Sequence, residues 1–417
     1  MNQQKFDIAV IGGGASGMMA AGRAAELGAK VVLIEKNIFL GKKLLMTGGG
    51  RCNITNISLH TENLAEKLGR NGKFLFSSLY SFGPQEVIDF LAELKVKTRV
   101  EENGKVFASS GRASDVIDAL TIYLRRNGVE IITGKEVLGF DLKDSLIESV
   151  RLEDRNILAS NFILSTGGKS YPATGSTGAG YFWAKDMGHT VIPPAPALSP
   201  IRIKGDVTQS LQGLSFNDVS VRIMQDGNKK LEKRGEMIFT HFGLSGPMIL
   251  NMSKAIGEIL REGKTSVEID THPDETHDEL DKMIQDGFRD NSNKDLKNHI
   301  ADFMPDKLAA VVPGLLQIDP DKKINLVTKE ERRRITNLLK GFRLNIEGVM
   351  GFDSAMVTGG GVSLKEVDPR TMRSKIVPNL FLTGEILDLD GPTGGYNLQI
   401  AWSTGRAAGE SAARSSS

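Results

Sequence analysis

Phe6-Asp-Ile-Ala-Val-Ile11 is an apolar run broken by one acid, and Val31-Val-Leu-Ile34 is wholly apolar and ends in Glu35. Between them lie Gly12-Gly-Gly14-Ala-Ser-Gly17 and a segment rich in alanine. Such runs predict buried parallel strands, and the small-residue segment predicts a helix packed closely on their sheet. Apolar positions recur at helical spacing in Gln85–Leu94 and Ala113–Arg126, while Glu130–Thr133 and Phe162–Thr166 read as strands. From Val219 to Gln225, Glu236 to Thr240 and Ser266 to Asp270 the pattern is β-rich. Residues 273–340 are mostly charged and helical, divided by Pro305, Pro313 and Pro320. The C-terminal part returns to strand, turn and helix, with a strand at Asn379–Thr383 and a helix over Asn397–Ala413. Pro193-Pro-Ala-Pro-Ala-Leu-Ser-Pro200 predicts a hinge where the chain leaves one domain.

The first strand, glycine turn, helix and acid-terminated strand form one dinucleotide-binding unit. Gly12 permits the tight turn, Gly14 lets the backbone approach a pyrophosphate, and Gly17 lets helix and strand pack. The first-turn amides of Ala15 and Ser16 then face the phosphates. A carboxylate at Glu35 accepts hydrogen bonds from ribose hydroxyls and repels a 2′-phosphate, which favours FAD or NAD over NADP at this site. The simplest architecture is a nucleotide-binding domain split by an insertion.

Composition narrows the class. With 417 residues, two or three domains are expected. A formal net charge of +1 supplies no global field for nucleic acid or an anionic membrane. No apolar run approaches the roughly 18 residues of a spanning helix, and no basic n-region precedes Phe6, so a cytoplasmic protein is expected. The single cysteine, Cys52, excludes an internal dithiol. Redox chemistry therefore cannot pass through an internal dithiol.

Three separated blocks carry a resemblance. The opening strand and turn, Gly48-Gly-Gly50-Arg51-Cys52-Asn53, and Gly359–Leu364 through Gly384-Glu385 to Gly394-Gly395-Tyr396-Asn397 resemble the BaiN/RdsA (YhiN-like) flavoproteins, as does Arg234–Pro247 between them. The resemblance implies an α/β fold with a split Rossmann-like FAD-binding domain of the glutathione-reductase type. An inserted β-rich domain and a helical subdomain accompany it. Expected boundaries are 1–190 with 345–417 for the FAD-binding domain, 191–272 for the β-rich insertion, completed by part of 320–344, and 273–344 for the helical part. The implied activity is FAD-dependent oxidoreduction, with NAD(P)H as a transient donor and a small-molecule substrate.

An FAD must be met by several segments. Gly12 to Gly17 and Glu35 are expected at the pyrophosphate and adenosine ribose, with Lys36 beside the latter. Thr47, Gly48, Gly49, Gly50, Arg51, Cys52 and Asn53 offer backbone amides and a guanidinium to phosphates or the flavin edge, and Arg51 is placed to lower the Cys52 thiol pKa. Val137 resembles the family position whose backbone meets adenine, and Thr166-Gly167-Gly168 approaches from the other side. Gly384 and Glu385 are expected at ribityl hydroxyls, with Asp388 as a substitute acid. Gly395, Tyr396, Asn397 and Leu398 begin the final helix, whose positive end is expected at the flavin N1–C2=O edge, with Gly395 clearing room for the ring.

Tyr171 is the candidate proton donor near the flavin, His241 and the Ser245-Gly246-Pro247 turn are candidates to face the substrate, and Ser245 is the expected cap of the helix that follows. His272 and His277 are spaced by five, which does not align them on one helical face, so no metal is expected. The run Lys329–Arg334 with Lys340 and Arg343 reads as a solvated helix face; an RNA-modifying flavoenzyme that docks through it is one rival class, and a binding or sensing flavoprotein whose FAD is structural is the other.

Overall fold

The computed structural model describes residues 5–290 and 293–416. The chain divides into two units, Met1–Ala197 with Phe352–Ser417, and Leu198–Gly351.

The first unit is built on a seven-stranded sheet. Strand β1 (Lys5–Ile11) pairs in parallel with β2 (Val31–Glu35), and β2 with the edge strand Glu130–Thr133. On its other side β1 pairs with Asn156–Leu164. That strand's far edge is shared. Residues 156–158 take the antiparallel meander Gly139–Lys143 and Leu146–Arg151, while residues 162–164 take Leu380–Leu382 in parallel. Strands β1 and β2 are almost wholly buried, which is why they read as continuous apolar runs.

Helix α1 (Ala15–Glu26) packs against the long helix Tyr396–Ser416. Small residues make this approach possible. A Cβ on Gly405 would lie 2.5 Å from the Ser16 carbonyl oxygen, and one on Gly409 would lie 2.4 Å from that of Ala20. The final helix thus reaches the backbone of α1 at two successive turns.

The helices expected at Gln85–Leu94 and Ala113–Arg126 are found at Pro84–Glu93 and Ala113–Arg126. The proline-rich stretch departs from expectation. Val191–Ala197 is a strand, paired antiparallel with Val357–Val362 across a bulge between Ile192 and Ala195. Residues before proline favour extended backbone, and a two-stranded ribbon leaves one edge free for prolines that donate no hydrogen bond.

The second unit centres on a closed six-stranded barrel: Ile201–Ile203, Gly243–Ser245, Asn228–Phe239, Ser215–Gln225, Thr265–Asp270 and Phe342–Val349. Its core includes Val219, Val221, Ile223, Val267 and Ile269 from alternate positions of two strands, each at 0% exposure. Helices Pro247–Leu260, His277–Asp290 and Lys329–Lys340 share that core through Ile256, Ile284 and Ile335. Three expected boundaries are corrected. Residues 191–197, expected in the β-rich insertion, belong to the first unit, where they pair with Val357–Val362. The helical part is continuous with the barrel core and forms no separate body, and Phe342–Val349 closes the barrel, so residues 345–351 belong to the second unit. Among the described residues no helix is long and apolar enough to cross a membrane.

Candidate functional site

At the end of β1 the three turn glycines meet different surroundings. Gly12, at φ +105°, lies where a Cβ would be 2.5 Å from the Ser165 carbonyl oxygen, and a Cβ on Gly17 would fall 1.9 Å from the Gly12 oxygen. Both positions are closed by the protein itself. At Gly14 nothing lies within 4 Å of the Cβ position. Gly14 is also the N-cap of α1, and no side chain caps the helix. The first-turn amides thus border open space at the positive end of a helix, the arrangement that fits a pyrophosphate.

Glu35 ends β2 at 8% exposure. Its Oε2 accepts the Gly13 amide at 2.7 Å, while Oε1 accepts the Asn37 amide at 2.8 Å and Asn37 Nδ2 at 2.6 Å. A carboxylate has about four acceptor directions. Three are taken by the turn it stabilises, so Glu35 organises this loop as well as offering an acceptor. Lys36 Nζ donates to Thr177 Oγ1 at 3.2 Å. The Val137 side chain is buried in the main core.

The glycine-rich stretch is open. Gly48, Gly49 and Gly50 are exposed with φ of +58°, +66° and +85°, a left-handed run that only glycine adopts freely. Cys52 N donates to the Thr47 carbonyl at 3.0 Å and closes the loop. One expectation is narrowed here and one fails. Arg51 Nη1 is bound to Glu101 at 3.1 Å and its guanidinium stacks 4.1 Å over Phe107, so its charge is already matched within the protein. Cys52 is fully buried, and burial pushes its thiol up to about 12, opposite to the expected lowering.

Thr166 Oγ1 is buried without a hydrogen-bond partner, and it lies 2.1 Å from where a Gly180 Cβ would stand. The hydroxyl is thus packed on the helix Ala179–Asp186. Gly167 carries φ +72°, and Gly168 is hemmed in, its Cβ position lying 2.4 Å from Thr358 Oγ1. Gly384, at φ +78°, abuts α1: its Cβ would lie 2.5 Å from Ser16 Oγ. Glu385 was expected at ribityl hydroxyls. Instead its carboxylate pairs with Lys43 Nζ at 2.8 Å and accepts Ser170 Oγ at 2.9 Å and the Thr358 amide at 2.8 Å. Asp388, the expected substitute, accepts Asn71 Nδ2 at 3.2 Å.

At the start of the final helix, Gly395 has φ +102°, and a Cβ there would stand 2.3 Å from the Thr55 carbonyl oxygen. With the Asn53 amide oriented to satisfy both its ends, its oxygen accepts the Gly395 amide at 3.1 Å. The Asn397 amide clamps the preceding loop through Gly391, Tyr396 OH meets Ser58 Oγ at 3.1 Å, and Leu398 packs on the core. The expectation that Gly395 clears space for a flavin is therefore corrected. It lets this helix end lie on the Asn53–Asn56 strand.

Tyr171 belongs to the first unit. It is half-buried in left-handed backbone, φ +50° and ψ +60°, with its amide donating to the Phe352 carbonyl at 2.9 Å. His241 belongs to the second unit, where it is exposed and stands edge-on to Phe242. Ser245 is a barrel-strand residue, and the cap of helix Pro247–Leu260 is Gly246. Among the described residues no group of three or more candidate ligands could hold a metal ion.

The basic run is largely spent within its own unit. Arg332 pairs with Asp281 at 2.9 Å, Lys340 is buried against Asp270 at 2.8 Å, and Arg343 donates to Ser266. Lys43, Ser170 and Thr358 are residues that sequence reasoning passed over. Lys43 stands just before the stretch Leu44–Gly50, and no local spacing links it to Glu385.

A model of the HI0933-like protein Rossmann domain matches residues 6–411. A 3-dehydro-bile acid delta(4,6)-reductase from Clostridium scindens is 34% identical over 97% of this chain and 98% of its own. A ribosomal RNA dihydrouridine synthase from Escherichia coli is 31% identical over 96% of both chains. Among solved structures, a 3-ketosteroid-delta4-(5alpha)-dehydrogenase from Rhodococcus jostii superposes with a TM-score of 0.54 at 15% identity, covering 98% of this chain and 97% of that one. At that identity the likeness concerns the fold.

Proposed function

We propose, for a chain that belongs to the HI0933-like Rossmann-domain family, that it is an FAD-dependent oxidoreductase which saturates a carbon–carbon double bond conjugated to a carbonyl, with NAD(P)H as donor. The observation that carries the cofactor is the open space at Gly14 beside the uncapped N-terminus of α1, bordered by Glu35. The residues present fit a dinucleotide. Gly14, Ala15 and Ser16 would hold the pyrophosphate, and the remaining acceptor direction of Glu35 would take a ribose hydroxyl. When bound, FAD supplies a carrier that accepts a hydride from a nicotinamide and releases it to an electron-poor carbon.

The substrate class follows from what two relatives' names share. A delta(4,6) 3-oxo compound presents double bonds conjugated to a ketone, and dihydrouridine is uridine whose 5,6 double bond, conjugated to the C4 carbonyl, has been saturated. Saturating an α,β double bond of this kind adds a hydride to the β-carbon and a proton to the α-carbon. Tyr171 is a candidate to hold that proton: it carries a hydroxyl, follows Gly168 closely in the first unit, and has left-handed backbone with its amide bound to the Phe352 carbonyl. A ribosomal RNA substrate is a second reading, favoured by the name of the Escherichia coli relative. The internal pairing of Arg332, Lys340 and Arg343 weighs against docking through that run.

The experiment is anaerobic reduction of the purified protein by NADH and by NADPH, followed by addition of a 3-oxo-4-ene steroid acid or a uridine-containing ribosomal RNA fragment. Reoxidation with a two-mass-unit gain in one substrate supports the reading and selects the class. Absence of flavin, or reduced flavin that neither acceptor reoxidises, sinks it.

A further inference from the structure

Three separate stretches of the first unit converge on a carboxylate carried by a fourth. Lys43 Nζ lies 2.8 and 3.1 Å from the two oxygens of Glu385 and donates to Ser170 Oγ at 2.7 Å. Ser170 Oγ is 2.9 Å from Glu385 Oε1, which also accepts the Thr358 amide at 2.8 Å. Thr358 Oγ1 in turn accepts the amides of Lys169 at 2.7 Å and Ser170 at 3.0 Å. Ser170 and Thr358 are completely buried, while the Lys43 and Glu385 side chains are about a fifth exposed, at 23% and 21%.

Each member lies in or beside a glycine-containing segment of the first unit. Lys43 immediately precedes the open glycine stretch Leu44–Gly50. Ser170 follows Thr166-Gly167-Gly168, Thr358 opens the buried strand Val357–Val362, and Glu385 follows Gly384, which touches the first turn of α1. The glycine stretch has little side-chain packing of its own, since Gly48 to Gly50 are exposed and three successive left-handed residues leave the backbone weakly determined. An ammonium fixed at its root by a partly buried carboxylate and a buried hydroxyl supplies the missing restraint.

We propose that Lys43 is a positioning residue for the cofactor: its ion pair with Glu385 fixes the glycine stretch against the 168–170 turn and thereby sets FAD affinity. The inference rests on the FAD reading above. Lys43→Met leaves the Glu385 charge partly buried and unmatched, whereas the double variant Lys43→Met/Glu385→Gln removes both charges, so the two losses are shared and do not add.

The test is FAD titration of the apo full-length chain by quenching of flavin fluorescence, alongside the thermal midpoint of each apo-protein. Lys43→Met and Glu385→Gln are each expected to raise the FAD dissociation constant about tenfold or more, with the double variant no worse than the weaker-binding single. Lys43→Arg, which keeps the charge and hydrogen bonding, is expected to stay within about threefold of wild type. Ser170→Ala, a small change in a packed position, is expected to weaken FAD about threefold and covers the case in which Lys43→Met does not fold. Lowered thermal midpoints with unchanged FAD affinity would overturn the proposal by reducing the cluster to a general staple, and so would additive losses in the double variant. Wild-type protein that binds no FAD would instead overturn the functional reading on which it depends.

Discussion

Glu35 Oε2 holds the Gly13 amide at 2.7 Å, so the acid at the end of β2 and the turn at the end of β1 are one unit before any ligand arrives. Glu35→Ala is expected to weaken FAD by about 1–3 kcal/mol, the scale of lost hydrogen bonds to a charged group. Because Gly13 and Asn37 lose their acceptor as well, the apo-protein is also expected to unfold at lower temperature. Titration and thermal melts measure the two effects separately, and unchanged FAD affinity removes Glu35 from the site.

Gly14 and Gly395 are expected to fail in opposite ways. Gly14→Ala places a methyl group where nothing lies within 4 Å, on a backbone with φ −82° that alanine accepts. Apo stability should change by no more than about 1 kcal/mol, the cost of alanine at an N-cap, while FAD binding weakens at least about tenfold. Gly395→Ala meets the Thr55 carbonyl oxygen at 2.3 Å from φ +102° and should cost about 1–3 kcal/mol of stability with or without FAD. Urea unfolding of the apo forms separates them, and equal stability losses would contradict the assignment of Gly14 to ligand space.

Cys52 is expected to be inert in the folded protein. With its thiol pushed up to about 12 by burial, on the order of one thiol in ten thousand is ionised at pH 8, and none is exposed. Iodoacetamide should label it only after denaturation, and Cys52→Ser should keep flavin reduction and turnover. Rapid labelling of native protein, or loss of turnover with flavin still bound, is the contrary result.

His189 gives the fold a defined acid sensitivity. It is buried, with Nε2 2.9 Å from Ser374 Oγ and Nδ1 3.4 Å from Glu366 Oε2, a charge contact longer than a good hydrogen bond. Burial lowers its pKa from the ordinary 6.5, against the raising influence of Glu366. Between the folded and unfolded values the unfolded chain binds more protons, so stability rises with pH through that window and is complete above 6.5. The thermal midpoint should fall as pH drops from about 7 to about 5, a range above most carboxylate titration, and His189→Asn should flatten that slope. His272, also lowered chiefly by burial, leaves a residual slope in the variant. An identical slope in wild type and variant assigns the sensitivity elsewhere.

Local pattern was enough for β1, α1, β2 and the helices at residues 84–93 and 113–126, because burial on both faces or along one stripe writes its period directly into the chain. The glycine turn and Glu35 were legible for the same reason: their chemistry is carried by neighbours in sequence. What the sequence could not state was which glycines make room for the chain and which for a ligand. Gly12, Gly17 and Gly395 face other backbone segments, whereas Gly14 faces open space, and only the folded chain distinguishes these cases. Charges behaved likewise. Arg51 is taken by Glu101, Glu385 by Lys43, and Lys340 by Asp270 across separations of 50 or more residues. The proline-rich stretch became a strand because Val357–Val362 supplies its partner from far along the chain, a pairing that no local propensity contains. The sequence by itself therefore determined the nucleotide-binding unit and its periodic elements, and the tertiary structure decided which polar groups remain free for a ligand, since that depends on partners brought together only by folding.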